Sequence, residues 1–142
     1  MTTYHFTYRS VPESPDLMLD DLITVLREHE VQEALFNRIC VAVSEAFTNA
    51  MVHGNRRDSG KIINVELEVN KSSVVADITD EGTGGIERIK TRRPANTMSE
   101  GGRGIDLIQH YASKVSFDNT NSGGLKVSIS FDRNRENIVC NS

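Results

Sequence analysis

Alternating apolar and polar residues predict the β-strands of this chain, because successive side chains of a strand point to opposite faces of the sheet. Near the start, Tyr4, Phe6 and Tyr8 alternate with polar residues. The same period recurs over 63–69, 74–79 and 125–131, with a short run at 115–117. Since only a short polar turn separates 63–69 from 74–79, these two runs are predicted to form a hairpin.

Apolar residues at helical spacing predict three helices. The first begins at Ser14 and breaks near Glu30, the second is long and ends at Gly54, and the third covers 105–111. The predicted buried stripe of the first helix is Leu17, Leu22, Ile23 and Leu26. The apolar flanks and back of the second helix are Ile39, Ala42, Val43, Ala46, Phe47 and Ala50.

Helices come early in the chain, and mostly antiparallel strands fill its second half. We therefore predict an α/β (α+β) two-layer sandwich, with helices packed on one face of a mixed, mostly antiparallel sheet. The 142 residues carry no internal repeat, so we expect a single domain over 1–142.

Composition excludes several classes of protein. The net charge of -4 provides no basic field for direct binding of nucleic acid. No apolar run is long enough to cross a membrane, and no secretory leader is present, so we expect a cytoplasmic protein. The two cysteines, Cys40 and Cys140, lack the spacing of metal ligands and are expected to be reduced thiols.

A polar seam follows the long helix. Residues four apart on an α-helix lie about 40° apart around its axis, so Glu45, Asn49 and His53 are predicted to form one stripe. A carboxylate, an amide and an imidazole are the groups that hold a metal-bound nucleotide. By itself, such a stripe could equally be a satisfied hydrogen-bond network.

Two glycine-rich segments complete the candidate chemistry. Asp80 to Gly85 leaves a predicted strand, and Glu100 to Ile105 opens a predicted helix, where free N–H groups attract phosphate. Taken alone, the first segment is most simply a tight turn and the second a flexible joint. The stretch from Lys90 to Gly102 has no period and is predicted to be a mobile loop.

In this order, the three elements resemble the ATP-binding domain shared by histidine kinases, type II topoisomerases, mismatch-repair ATPases and Hsp90-type chaperones, which is the GHKL superfamily with its Bergerat fold. The chain is similar to bacterial anti-sigma factor serine/threonine kinases in the motif from Ser44 to Asn55, which reads Ser-Glu-Ala-x-Thr-Asn-Ala-x-x-His-Gly-Asn. The same holds for Gly102-Arg103-Gly104-Ile105-x-Leu107-Ile108. The resemblance extends over nearly the whole chain.

The resemblance implies ATP and Mg²⁺ as ligands and assigns roles to the polar residues. Glu45 matches the general base that takes a proton as a hydroxyl or water attacks the γ-phosphate. Asn49 matches the Mg²⁺ ligand. Asp80 matches the acceptor of a hydrogen bond from the adenine amino group. His53 is expected to make a structural hydrogen bond at the helix end rather than to act in catalysis.

The glycines acquire roles from the same resemblance. Gly82 and Gly84 fit a turn where a side chain would collide with the purine or force an unfavourable backbone angle. Gly102 and Gly104 let the backbone approach the phosphates as the loop closes. Arg103 is expected to contact either phosphate or a partner protein.

The chain departs from the family pattern at two places. Leu125 occupies a position where many members have a threonine that helps hold an adenine-bound water. After the first glycine motif, many anti-sigma kinases read Phe-Asp-Pro, whereas this chain reads Gly85-Ile86-Glu87. The first departure implies greater dependence of adenine binding on Asp80, and the second implies a different lid entrance.

The resemblance implies an ATP-dependent anti-sigma factor. Such a protein sequesters a sigma factor and phosphorylates a serine or threonine of a STAS-type anti-anti-sigma partner, and a homodimer is compatible with it. One alternative is a nucleotide-binding regulator without phosphoryl transfer. The other is an isolated catalytic domain of a histidine kinase with His29 as phosphoacceptor, which the absence of a long helical hairpin disfavours.

Overall fold

The computed structural model describes residues 1–90 and 100–133, which form five strands and a set of helices. The strands are β1 (Thr2–Arg9), β2 (Ile62–Val69), β3 (Ser73–Thr79), β4 (Lys114–Asn119) and β5 (Leu125–Asp132). The α-helices are α1 (Ser14–Glu28), α2 (Glu33–Thr48), α3 (Gly85–Lys90) and α4 (Glu100–Tyr111), and a π-helical turn (Asn49–Gly54) continues α2. The predicted strands and the three predicted helices are all present.

The sheet has the strand order β1-β2-β3-β5-β4, and all four pairings described are antiparallel. The predicted two-layer α/β architecture is confirmed, but the expectation of a mixed sheet is wrong for the described strands. β3 and β4 run in the same direction, yet β5 pairs with both and lies between them. Local sequence patterns do not encode the insertion of a later strand between two earlier ones.

One face of the sheet is apolar and packs against the helices. The inward side chains of the three central strands are buried: Ile63, Val65, Leu67, Val69, Val74, Ala76, Ile78, Leu125, Val127, Ile129 and Phe131. Tyr8 joins this core with its ring against Phe47 of α2, and its hydroxyl donates a hydrogen bond of 2.6 Å to Asp21. Burial and this hydrogen bond raise the pKa of Tyr8. The opposite face is polar, and there the Nε2 atom of His5 on β1 lies 2.8 Å from the carboxylate of Glu66 on β2.

The buried stripe of α1 differs from the prediction. Leu22 and Leu26 are buried as expected, but Leu17 is 54 % exposed and Ile23 is only half-buried. Met18 and Val25 take their places in the core. The hydroxyl of Ser14 donates to the carbonyl oxygen of Arg9 at 2.5 Å. This tie between the helix start and the end of β1 fixes which side of α1 faces the sheet.

The segment around the predicted loop is more helical than expected. The sequence pattern does not predict helix α3, and α4 already includes Gly101 and Gly102, which fall within the predicted loop. Asn119 of β4 accepts a hydrogen bond from the Ile86 N–H at 2.7 Å, so α3 begins on a contact from a distant strand. The rest of the predicted loop, residues 91–99, lies outside the described residues, as does Cys140.

In the described part of the chain, no helix combines the length and the apolar character needed to span a membrane. The other cysteine, Cys40, lies on α2 and is half-buried. Burial raises the pKa of its thiol, while the nearby Arg27 acts in the opposite direction. The thiol is therefore a poor nucleophile at neutral pH, in keeping with a packing role.

Candidate functional site

Asp80 lies at the end of β3 with its carboxylate held by backbone donors. The residue is only 3 % exposed. Its Oδ1 accepts hydrogen bonds from the N–H of Gly82 at 2.9 Å and the N–H of Leu125 at 3.2 Å. The Asp80 N–H also donates to the Leu125 carbonyl oxygen at 3.0 Å. Leu125 thus supports Asp80 through its backbone rather than through its side chain.

Three glycines surround Asp80 at distances that exclude any side chain. A Cβ on Gly54 would overlap the Asp80 carboxylate, and a Cβ on Gly124 would overlap the Asp80 carbonyl oxygen. A Cβ on Gly82 would overlap the carbonyl oxygen of Gly54. The end of the long helix, the Asp80 turn and the start of β5 therefore meet backbone to backbone.

The two glycines predicted for the Asp80 turn are required for different reasons. Gly84 has φ of 86°, a backbone conformation that side chains disfavour. Gly82 has no such angle and is required because it packs against the Gly54 backbone. Sequence reasoning proposed a collision with a bound purine at this turn, whereas the first obstacle to a side chain at Gly82 is the protein itself.

Asn55 is the principal residue that sequence reasoning missed. It is 1 % exposed, and its side chain joins three segments of the chain. Its Nδ2 donates to the Ser10 hydroxyl and to the Ile62 carbonyl oxygen, each at 2.8 Å, and its Oδ1 accepts from the Glu81 N–H at 2.8 Å. Asn55 closes the motif from Ser44 to Asn55, but its sequence position after Gly54 gives no sign of the distant segments that its side chain joins.

The long helix changes its winding before it ends. From Asn49 to Gly54 it is a π-helix, and the Asn55 N–H donates to the Ala50 carbonyl oxygen, five residues back, at 2.8 Å. Such turns are rare and frequently occur at functional sites. The wider turn ends the regular α-helical spacing on which the predicted stripe depended. His53 is exposed and forms no side-chain hydrogen bond with any residue the structure describes, so the structural bond expected of it is absent there.

Glu45 and Asn49 lie one turn apart on this helix, and both are half-buried. The Nδ2 atom of Asn49 is buried without a hydrogen-bond partner among the described residues. A buried amide without a partner is unfavourable by about 1–3 kcal/mol. The Nδ2 group is a hydrogen-bond donor, so it fits an acceptor such as a phosphate oxygen at this point, whereas the Oδ1 atom of the same amide suits a hard cation such as Mg²⁺.

Helix α4 brings the second glycine motif alongside. It packs against α2 and contacts the π-helical turn. Gly102 and Gly104 lie in its first turns, as predicted for a motif that opens a helix. The Arg38 guanidinium on α2 donates to the carbonyl oxygen of Tyr111, the last residue of α4, at 2.8 Å. The side chain of Arg103 lies outside the described residues.

Comparison with known proteins places this geometry in context. The family model of the histidine kinase-like ATPase domain matches residues 9–131. An anti-sigma F factor of Clostridium beijerinckii is 29% identical over 99 residues, which cover 66% of this chain and 68% of that protein. An anti-sigma F factor of Bacillus cytotoxicus is 26% identical over 107 residues, covering 72% of this chain and 73% of that protein.

A solved structure shares the fold. The crystal structure of the RsbU and RsbW domains of a Mycobacterium tuberculosis protein superposes with a TM-score of 0.67 and 17% sequence identity. The match covers 94% of this chain and 33% of that chain.

Proposed function

Because the chain belongs to the histidine kinase-like ATPase domain family, we propose that it is an ATP-dependent anti-sigma factor kinase. In this proposal it sequesters a sigma factor in the cytoplasm and transfers the γ-phosphate of ATP to a serine or threonine of an anti-anti-sigma protein. The names of the curated relatives support the anti-sigma assignment.

The observation that carries the proposal is the buried Asp80 carboxylate, which backbone N–H groups hold in place. A buried carboxylate whose Oδ1 is already bound by two N–H groups is fixed in orientation before any ligand arrives. Such a carboxylate can accept a hydrogen bond from the adenine amino group, whereas the carbonyl group of guanine cannot donate one. Charged acceptors make hydrogen bonds of about 1.5–3 kcal/mol, which is enough to select the base.

Glu45 and Asn49 would serve the phosphate end. Glu45 is half-buried, with no side-chain hydrogen bond to the residues that the structure describes, so its carboxylate is not committed to a structural role there. In the proposal it removes the proton from the attacking hydroxyl, an effect of about 10²–10⁴-fold in general base catalysis. Mg²⁺, held by Asn49, would offset the charge of the phosphate oxygens.

Phosphorylation gives this chemistry a regulatory outcome. A phosphate adds nearly two negative charges at neutral pH and can disrupt a close protein interface by repulsion and desolvation. A modified anti-anti-sigma protein would therefore release the kinase, which would then be free for the sigma factor. The proposed activity is thus a reversible exchange of partners.

The structure weighs against the histidine-kinase alternative. His29 is half-buried between α1 and α2, and its Nε2 lies 2.7 Å from the Tyr4 hydroxyl. The Tyr4 ring also packs edge-on against the imidazole. A phosphoacceptor histidine needs an accessible ring nitrogen that can attack the γ-phosphate. The His29 ring instead contacts Tyr4 through both a hydrogen bond and ring packing.

Transfer of labelled phosphate tests the proposal. The purified chain is incubated with γ-labelled ATP and the anti-anti-sigma protein encoded nearest to it in its genome, with Glu45→Gln as the matched control. We expect label on a serine or threonine of the substrate and about 10²-fold or greater loss with the control. ATP binding without transfer by the parent would instead support the non-catalytic regulator.

A further inference from the structure

Asn55 connects the two ends of the proposed nucleotide site. It follows directly on the π-helical turn that continues the helix of Glu45 and Asn49. Its Oδ1 accepts from the Glu81 N–H, which belongs to the peptide that joins Asp80 to the next residue. One side chain therefore links the helix that carries the phosphate-side groups to the turn that carries the adenine-side carboxylate.

The hydrogen bonds of Asn55 fix its orientation. An amide has two donor hydrogens, and both are used, one by the Ser10 hydroxyl and one by the Ile62 carbonyl oxygen. A flipped amide would present its nitrogen to the Glu81 N–H and would lose all three bonds. The oxygen is therefore held on the Glu81 side by contacts made elsewhere in the fold.

The surroundings of Asn55 are themselves anchored. Ser10 donates through its hydroxyl to the Lys61 carbonyl oxygen at 3.0 Å, and the Ile62 N–H donates to the Glu81 carboxylate at 2.7 Å. Gly54, the residue before Asn55, packs directly on Asp80 and Gly82. The Asp80 turn is therefore in direct contact with the Gly54 backbone, and no space remains between them. A shift of the Asn55 side chain would disturb this contact.

We propose that Asn55 is a positioning residue for base recognition, which sets the place of the Asp80 carboxylate by binding the Glu81 N–H. The inference rests on the proposed function, since it presumes that Asp80 reads the adenine amino group. It adds that adenine selectivity depends on a residue that does not itself contact the base.

The test measures a ratio of affinities rather than stability. Purine riboside triphosphate has the ring of adenine without the 6-amino group, so its dissociation constant divided by that of ATP reports the Asp80 contact alone. We expect a ratio of about tenfold or more for the parent chain. We expect Asn55→Ala to bring the ratio to within about twofold of unity, because Asp80 is displaced.

Two variants separate positioning from general stability. Ser10→Ala removes a partner of Asn55 without touching the Glu81 contact, so it should lower the melting temperature and keep the parent ratio. Asn55→Asp keeps an oxygen acceptor for the Glu81 N–H and should restore the ratio despite reduced stability. A merely structural Asn55 would give the same ratio in all four proteins, and that result would overturn the inference.

The outcomes also distinguish this inference from the proposed function. A parent chain that binds neither nucleotide overturns both, whereas a parent that selects ATP and an Asn55→Ala variant that selects it equally overturns only the role of Asn55. If the alanine variant does not fold, Asn55→Ser replaces it. In addition, amide exchange on the parent should show the Glu81 N–H protected although its side chain is exposed, and rapid exchange there would contradict the bond.

Discussion

The two ends of the candidate site are built differently. At the end proposed to bind adenine, Asp80 and Asn55 are almost fully buried, and the described structure gives each of them several hydrogen bonds. At the end proposed to bind the phosphates, Glu45 and Asn49 are half-buried and His53 is exposed, and none of the three has a side-chain hydrogen bond to a described residue. At the first end, other groups of the protein supply hydrogen-bond partners for the polar side chains. At the second end, the polar side chains have no such partners among the described residues.

This difference separates stability from chemistry. Groups already bonded to the fold can select a ligand by their shape and fixed orientation, but they cannot be replaced without disturbing the fold. Groups without protein partners contribute little to folding and are free to bind phosphate, metal and a reacting hydroxyl. Substitutions at the adenine end should therefore lower both stability and nucleotide binding, whereas substitutions at the phosphate end should lower binding alone.

The largest effect is expected at Gly82. A Cβ in Gly82→Ala would overlap the backbone carbonyl oxygen of Gly54, which cannot rotate away. We expect a loss of about 3 kcal/mol of stability or more, together with loss of ATP binding. Thermal unfolding followed by circular dichroism measures the first and calorimetry the second.

Gly60→Ala is the matched control for Gly82. Its added Cβ would lie 3.2 Å from the Oδ1 of Asp58, an exposed side chain rather than a backbone atom. We expect this control to keep the melting temperature within a few degrees and to bind ATP normally. Equal losses in both variants would show that the Gly82 packing has no special role.

At the phosphate end, Asn49→Ala should separate binding from stability. Truncation removes a buried Nδ2 atom that has no described partner, so the melting temperature should stay unchanged or rise slightly. Affinity for Mg²⁺–ATP should fall about tenfold or more. Equal affinity in variant and parent would refute the role given to Asn49, and a large loss of stability would refute the contrast between the two ends.

Removal of the metal should affect only one end. With EDTA in place of Mg²⁺, we expect the affinity for ATP to fall about tenfold, because the phosphate charge is no longer offset. Adenosine lacks phosphates, so its affinity should be the same in both buffers. Fluorescence or calorimetric titration of both ligands measures this, and a metal-dependent affinity for adenosine would contradict the separation of the two ends.

The smallest effect is expected in the turn that connects the long helix to β2. Arg56 and Arg57 have φ of 52° and 58°, the left-handed conformation that favours glycine. Arg57→Gly should therefore stabilise the chain by about 0.5–1 kcal/mol, seen as a higher midpoint in urea. Arg57→Ala removes the same charge without relieving the backbone, and an equal gain in that variant would assign the effect to charge.

Local sequence patterns predicted the strands and helices, because these elements are determined mainly by interactions between residues close together in the chain. The alternation of Tyr4, Phe6 and Tyr8 and the spacing of Ile39, Val43 and Phe47 are consequences of which face is buried, so strands, helices and the layer arrangement followed from them. The end of the long helix at Gly54 and the break near Glu30, which has φ of 55°, were also readable.

The remainder depends on contacts between residues far apart in the chain. The bond from Asn55 to Ser10 spans 45 positions, and the bond from the Ile86 N–H to Asn119, which begins α3, spans 33. The insertion of β5 between β3 and β4 is likewise a tertiary choice. Within the candidate site, the sequence predicted roles for Asp80 and Gly82, but it did not predict the Asn55 bond or the packing of Gly54 and Gly124 that hold these two residues.

The central claim is that this chain binds ATP with Mg²⁺ between the long helix, the two glycine motifs and the sheet. Isothermal titration of the purified chain with ATP and Mg²⁺ tests it most directly, with a thermal melt at saturating nucleotide beside it. The account predicts binding of one ATP per chain and a higher melting temperature. No heat of binding and no rise in melting temperature would contradict it.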